Sequence, residues 1–236
     1  MKKLVVIITI LILFIPKVNA STSSASSYIL MDSTTGRVLM SKDMHTRRLI
    51  ASITKIMTAT LAIESGKLND VVEVSPIIKE AYGSGIYIEV GEEITLKDLV
   101  YGLMLRSGND AAMMISEYIG GTTEEFVNMM NNKAKEIGMK ETTFYNPSGL
   151  PTPSGNYSSA YDMALLTKYA MNSPVYQEIV KTKTYKVTTN KKTYLWHNKN
   201  KLLKYDYITG GKTGYTEESG RTLVSTANID NMSLIV

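Results

Sequence analysis

The sequence predicts an α/β fold in which strands from both ends of the chain build one sheet, with helices between them. Three observations carry this. A short apolar hairpin opens the region after residue 27, the middle repeats apolar residues at helical spacing, and β-formers return in clusters after Ser173.

The elements follow in order. Tyr28-Ile29-Leu30-Met31 and Arg37-Val38-Leu39-Met40 flank Asp32-Ser33-Thr34-Thr35-Gly36, a hairpin closed by a glycine turn. From Leu49 to Gly66 apolar residues recur near the helical period. Thr95 can cap a helix reaching Arg106, with Leu96, Leu99, Val100, Leu103 and Met104 on one face. Helix resumes over Asp110 to Ile119, so Ser107-Gly108-Asn109 falls in a tight connection. Thr122-Thr123-Glu124-Glu125 is a box-like start for a helix to Ile137, closed by Gly138. Asn146 to Ser159 is a Pro/Gly/Ser loop, and Ala160 to Met171 is helical. Strands are expected over Tyr185 to Thr189, Lys192 to Trp196, Thr222 to Ala227 and Met232 to Val236.

Composition narrows the chemistry. The 236 residues are 44% hydrophobic and 20% charged, and contain no cysteine, which removes disulfides, thiolate nucleophiles and Cys-based metal sites. Two histidines, His45 and His197, do not suggest a His-rich metal centre. The net charge of +4 is mostly an export tag. Met1-Lys2-Lys3, the apolar run Leu4 to Ile15 and Val18-Asn19-Ala20 read as a secretory signal peptide over residues 1–20. That run would span only about 18 Å as helix, short of a hydrocarbon core of about 30 Å. Cleavage removes three lysines and no acid, leaving 216 residues with 23 basic and 22 acidic groups. A nearly neutral chain gives no support for nucleic-acid binding. Ser21 to Ser27 reads as a flexible leader.

Three short motifs carry candidate chemistry. Ser52-Ile53-Thr54-Lys55 puts a hydroxyl and an amine three residues apart at a helix start, so both share a face and the amine can reach the hydroxyl. Taken alone, it better describes a capping serine and an exposed lysine on an ordinary helix. Ser107-Gly108-Asn109 lies between two helices, where a turn can aim side chains at a cleft; the same triplet recurs at Ser154-Gly155-Asn156 in a Pro-rich loop. Lys212-Thr213-Gly214 lies among β-formers, and a glycine inside a strand often marks close approach of a ligand or another backbone.

In this order and at these intervals, the set resembles the serine penicillin-recognising enzymes, especially the D-alanyl-D-alanine carboxypeptidases. The likeness extends to Asp32-x-x-Thr35-Gly36, Gly91-Glu92, Leu103 to Ala112, Asn146 to Pro151, Tyr161 to Leu165, Asn200 to Leu203 and Gly211 to Thr216. It selects Ser107-Gly108-Asn109 over the second triplet. The resemblance implies a β-lactamase-like fold: an antiparallel sheet flanked by helices, in a catalytic domain over 28–236 with a helical insertion over roughly 64–175. Relatives continue past the final strand into a helix, so a domain incomplete at its C-terminus is expected.

The resemblance also implies roles. Ser52 would be the nucleophile on the terminal D-Ala–D-Ala bond of peptidoglycan stem peptides, and Lys55, as a free amine, its base. An unperturbed lysine titrates at about 10.4, so burial or a second cation must lower it, and Lys212 is the candidate cation. Ser107 would relay a proton to the leaving amine, while Asn109 would hold the peptide and orient Lys55. Lys212 and Thr213 would bind the terminal carboxylate, with Lys199 as a further cation beside it. Gly214 would let the substrate lie against its strand, and the N–H groups of Ser52 and Tyr215 would form the oxyanion hole. No cofactor or metal is implied. β-Lactams would be covalent inhibitors, and the protein would be exported to the extracellular, periplasmic or wall space, touching membrane only through an uncleaved signal.

Competing enzyme readings fit less well. A Ser-His-Asp hydrolase lacks its Gly-x-Ser-x-Gly elbow. A zinc D,D-peptidase would need more clustered His and acid. A class A β-lactamase resembles Ser-Asp-Asn at the second motif and has a deacylating Glu in the following loop; here Gly108 stands in the motif and Asn146 to Ser159 contains no acid. A truncated relative that only binds wall peptides is the alternative from outside the enzymes.

Overall fold

The computed structural model describes residues 23–151 and 154–236. The expected signal peptide over 1–20 and the first two residues of the leader lie outside the described residues. Lys42 Nζ donates to the Ala25 carbonyl at 3.1 Å and Arg48 Nε to Ser27 Oγ at 2.8 Å, so the rest of the leader is held.

The chain runs β1 (Tyr28–Asp32), β2 (Val38–Lys42) and β3 (Arg48–Leu49), then a 3-10 turn (Ala51–Thr54) into α1 (Lys55–Glu64). Next come β4 (Val71–Glu73), β5 (Glu93–Thr95), α2 (Leu96–Arg106), α3 (Asn109–Gly120) and α4 (Thr123–Ile137). They are followed by β6 (Tyr157–Ser158), α5 (Ala160–Ala170), α6 (Pro174–Lys181), β7 (Thr184–Thr188) and β8 (Thr193–His197). A 3-10 turn (Lys201–Lys204) leads to β9 (Ile208–Thr216), β10 (Gly220–Ile229) and β11 (Met232–Ile235).

Strands from both ends do share one antiparallel sheet, in the order β2-β1-β11-β10-β9. β9 is an edge strand of that sheet, and the turn before α1 packs against it. α1 is buried from Lys55 to Ala62, as a helix at the centre of a core must be. Leu99, Leu103, Ile115, Phe126 and Met130 surround it, and a smaller cluster of Ile29, Met31, Ala164 and Ile235 joins α5 to the sheet. Helix starts use the capping residues that the sequence offers. Thr95, Thr122 and Ser159 accept N–H bonds from Asp98, Glu125 and Asp162, each at 3.1 Å.

Three expectations need correction. Helix does not begin at Leu49: the Ile50 N–H is taken by the Asn156 carbonyl at 3.1 Å and Ala51 adopts φ +48°, so the backbone bends before α1 can start. The strands near 185 and 195 do not join the main sheet. They form a separate hairpin, β7–β8, whose aromatic face rests on α2 and its approach: Tyr185 stacks on Tyr101 at 3.7 Å, and Tyr194 OH donates to Glu92. A helix, α6, also precedes them. Its signal in the sequence is Ser173-Pro174, a cap followed by a proline at the first helical position.

Candidate active site

The three motifs meet where the Ser52 turn, the α2–α3 connection and β9 converge. Each is held by local backbone constraint. Ala51 takes φ +48° just before Ser52, and Ser107 takes φ +64° as it ends α2; both are left-handed conformations that a non-glycine residue keeps only when its surroundings enforce them. Gly149, at φ +87°, faces the Ser52 turn so closely that a Cβ would collide with the Ala51 carbonyl oxygen. Thr222 Oγ1 donates to the Ile50 carbonyl at 3.0 Å, tying β10 to the same turn.

Lys55 is fully buried. Its Nζ lies 3.0 Å from Ser52 Oγ, 2.7 Å from Asn109 Oδ1 and 2.5 Å from the Ser148 carbonyl oxygen. These partners fill the nitrogen's hydrogen-bonding directions with neutral groups. Burial pushes the Lys55 amine well below the ordinary lysine range, and the charges of Lys212 and Lys199 push it further; Asp110 acts in the opposite sense. An amine of lowered proton affinity therefore lies beside a serine hydroxyl.

Lys212 is the second buried lysine, at 2% exposure. Its Nζ donates to Ser107 Oγ at 3.1 Å and to the Thr213 carbonyl at 2.7 Å. Burial first, and the Lys199 charge second, bring it down to about 7. Lys199 itself donates to Ser84 Oγ at 3.0 Å, and its N–H bonds the Leu105 carbonyl. It acts on both buried lysines by its charge. Thr213 is half-buried beside Lys212, and Tyr215 extends an exposed ring with the Arg221 guanidinium 5.8 Å from its centroid.

Gly214 lies where β9 meets Thr222 of β10, whose Oγ1 would collide with a Cβ at Gly214. That Cβ would also stand 2.9 Å from the Ser52 nitrogen, so glycine here admits both Thr222 and the close approach of the Ser52 turn to β9. The second Ser-Gly-Asn copy is structural. Asn156 Oδ1 accepts the Tyr145 and Asn146 N–H groups, and its Nδ2 donates to Thr54 Oγ1 at 3.0 Å. His45 packs on Tyr161, and His197 pairs with Thr184 at the end of β8.

Two contributors escape a reading of the sequence. The Ser148 carbonyl is a backbone acceptor, and no residue type announces it; the turn that aims it is built by Asn146 Oδ1, which accepts the Ser148 and Gly149 N–H groups. Asp110 follows the second motif, where residue identity marks only the start of α3.

The surroundings in sequence space agree with this geometry. The family profile for D-alanyl-D-alanine carboxypeptidase matches residues 16–236. The D-alanyl-D-alanine carboxypeptidase DacF of Bacillus subtilis is 44% identical over 222 residues, covering 89% of this chain and 56% of the relative. DacC of Escherichia coli is 35% identical over 234 residues, covering 92% and 57%. The chain thus spans about half the length of the curated relatives it matches. A solved D-alanyl-D-alanine carboxypeptidase from Mycobacterium tuberculosis superposes with TM-score 0.89 at 30% identity, covering 94% of this chain and 84% of that one. A point mutant of the Streptomyces K15 DD-transpeptidase gives 0.87 at 31% identity over 92% and 90%. A motif order, a geometry and two independent likenesses converge, and the chain belongs to the S11 peptidase family of D-alanyl-D-alanine carboxypeptidases.

Proposed function

We propose that this chain is a serine D-Ala-D-Ala carboxypeptidase that removes the terminal D-alanine from peptidoglycan stem pentapeptides. The observation that carries the reading is a fully buried Lys55 amine 3.0 Å from Ser52 Oγ, with no carboxylate among its hydrogen-bond partners. Such an amine is a base near neutral pH and needs no histidine.

The terminal carboxylate of the peptide binds protonated Lys212 and the Thr213 hydroxyl, which selects a free C-terminus. Its arrival stabilises the charge on Lys212, and that charge keeps Lys55 neutral. Lys55 takes the Ser52 proton as Oγ attacks the penultimate carbonyl. The N–H groups of Ser52 and Tyr215 receive the developing oxyanion. The proton passes through Ser107 to the D-alanine nitrogen, the C–N bond breaks, and D-alanine leaves. Water then attacks the Ser52 ester while Lys55 takes its proton, and the shortened peptide is released as Ser52 recovers its hydrogen. Lys199, held on Ser84, adds positive field for the carboxylate.

Penicillins carry a strained amide and a carboxylate at matching positions and acylate the same serine. Rapid turnover of that ester is not favoured, because the loop over 146–159 supplies no acid to activate water. Wall substrate places the work outside the cytoplasmic membrane, in keeping with the signal-like first 20 residues. Among the described residues no helix is long and apolar enough to cross a membrane.

Release of D-alanine from a synthetic pentapeptide, measured beside hydrolysis of penicillin, tests the assignment. The carboxypeptidase reading predicts D-alanine release with slow penicillin turnover. Rapid penicillin hydrolysis without D-alanine release would overturn it in favour of a β-lactamase.

A further inference from the structure

Asp110 is 7% exposed, one residue past the Ser107-Gly108-Asn109 turn. Its carboxylate accepts the Ile86 N–H at 3.0 Å to each oxygen, the Tyr87 N–H at 2.6 Å and the Ala111 N–H at 2.9 Å. Space for it is made on two sides by glycine. A Cβ at Gly108 would stand 2.9 Å from one carboxylate oxygen, and one at Gly85 would stand 3.2 Å from the other. Tyr87 is held at φ +61°, a conformation that its two pinned backbone groups enforce: its N–H goes to Asp110, and its carbonyl accepts Lys192 Nζ at 3.0 Å.

The segment that Asp110 grips reaches the site three times. The Tyr82 carbonyl accepts Asn109 Nδ2 at 2.5 Å, the Ser84 carbonyl accepts the Asn109 N–H at 2.7 Å, and Ser84 Oγ accepts Lys199 Nζ at 3.0 Å. Asn109 Oδ1 in turn holds the Lys55 amine at 2.7 Å. A buried carboxylate satisfied only by N–H groups thus stands one residue behind the group that orients the base.

We propose that Asp110 is a positioning residue for the Ser52–Lys55 pair: it latches the segment 82–87 onto the second motif, fixes where Asn109 holds Lys55, and sets a negative charge behind the amine. The kinetic part rests on the carboxypeptidase reading. Lys212 and Lys199 bear on Lys55 with the opposite sign from Asp110. Removing the Asp110 charge lets Lys55 lose its proton at still lower pH, while Lys212, which answers to burial and Lys199, is untouched.

The test compares Asp110→Asn with Glu92→Gln. Glu92 holds the chain just past that segment, accepting the Glu89 N–H, Tyr194 OH and Thr189 Oγ1–H, and the charges that shift Lys55 are those of Lys212, Lys199 and Asp110. Acylation by a fluorescent penicillin is followed against pH, and the Lys55 midpoint is read by NMR of side-chain-labelled lysine in the full chain. Asp110→Asn is expected to slow acylation at its optimum by about tenfold or more. Its acid limb and its Lys55 midpoint move to lower pH, and its alkaline limb stays. Glu92→Gln moves neither limb. If Asp110→Asn does not melt cooperatively, Asp110→Ser, which keeps a hydroxyl acceptor, takes its place. An unmoved Lys55 midpoint overturns the proposal whether or not the rate falls. A moved midpoint in a chain that takes no penicillin leaves Asp110 assigned and sinks the carboxypeptidase reading instead.

Discussion

Lys212 Nζ donates to Ser107 Oγ at 3.1 Å, so the third motif grips the second as Lys55 grips the first and second. Two buried lysines sit in one hydrogen-bonded cluster with hydroxyls, an amide and carbonyls as their partners. No carboxylate hydrogen-bonds either amine among the described residues. Burial and the neighbouring cations hold the Lys55 amine well below the ordinary lysine range, and Lys212 is brought down to about 7.

The first prediction concerns pH. The acid limb of kcat/KM follows deprotonation of Lys55, and the alkaline limb follows loss of the Lys212 proton through about 7. A bound carboxylate raises Lys212, so the alkaline limb of kcat lies higher than that of kcat/KM. Steady-state kinetics on a pentapeptide between about pH 5 and 9 check this. A kcat/KM that stays flat across that range contradicts it.

Stability should move against function at Lys212. The folded chain holds this proton less tightly than the unfolded chain, whose lysine titrates at 10.5. The cost to folding is therefore present in full below about 7 and fades as pH rises toward 10.5. Lys212→Met removes a buried charge from an uncompensated site. It should raise stability by about 1–3 kcal/mol in urea melts at about pH 6 while abolishing D-alanine release. A destabilised Lys212→Met would contradict the electrostatic reading of the site.

Gly149 and Gly138 offer a controlled pair. Their φ values are +87° and +88°, but a Cβ at Gly149 meets the Ala51 carbonyl and one at Gly138 meets nothing within 4 Å. Gly138→Ala should cost about 1 kcal/mol with acylation unchanged. Gly149→Ala should cost about 2 kcal/mol or more and slow acylation by about tenfold or more, because it displaces the turn that presents Ser52. Equal stability losses in the two variants would show that the contact with Ala51 is unimportant.

Much of this arrangement was legible in the sequence, for identifiable reasons. Ser52 and Lys55 are three residues apart, and helical geometry alone brings such side chains together. Period-two apolar residues at the two chain ends encode strands, and those strands do share a sheet. Side chains that meet across long separations were less visible. Ser107 and Lys212 are joined by family resemblance before geometry, since nothing local ties residues 105 positions apart. The hairpin β7–β8 carries the same alternation as the sheet strands, and only the fit of Tyr185 on Tyr101 decides that it covers α2 instead. The Ser148 carbonyl leaves no trace in residue identity at all. Asp110 hid in plain view, because an acid in the first turn of a helix is ordinary.

The Ser52 acyl-enzyme is best tested by intact-mass measurement of the purified chain after incubation with penicillin, with peptide mapping of any adduct. A single penicilloyl adduct on Ser52 is expected, absent from Ser52→Ala and slowed by about a hundredfold or more in Lys55→Gln. A folded chain that acquires no adduct, or acquires one on another residue, would contradict the mechanism.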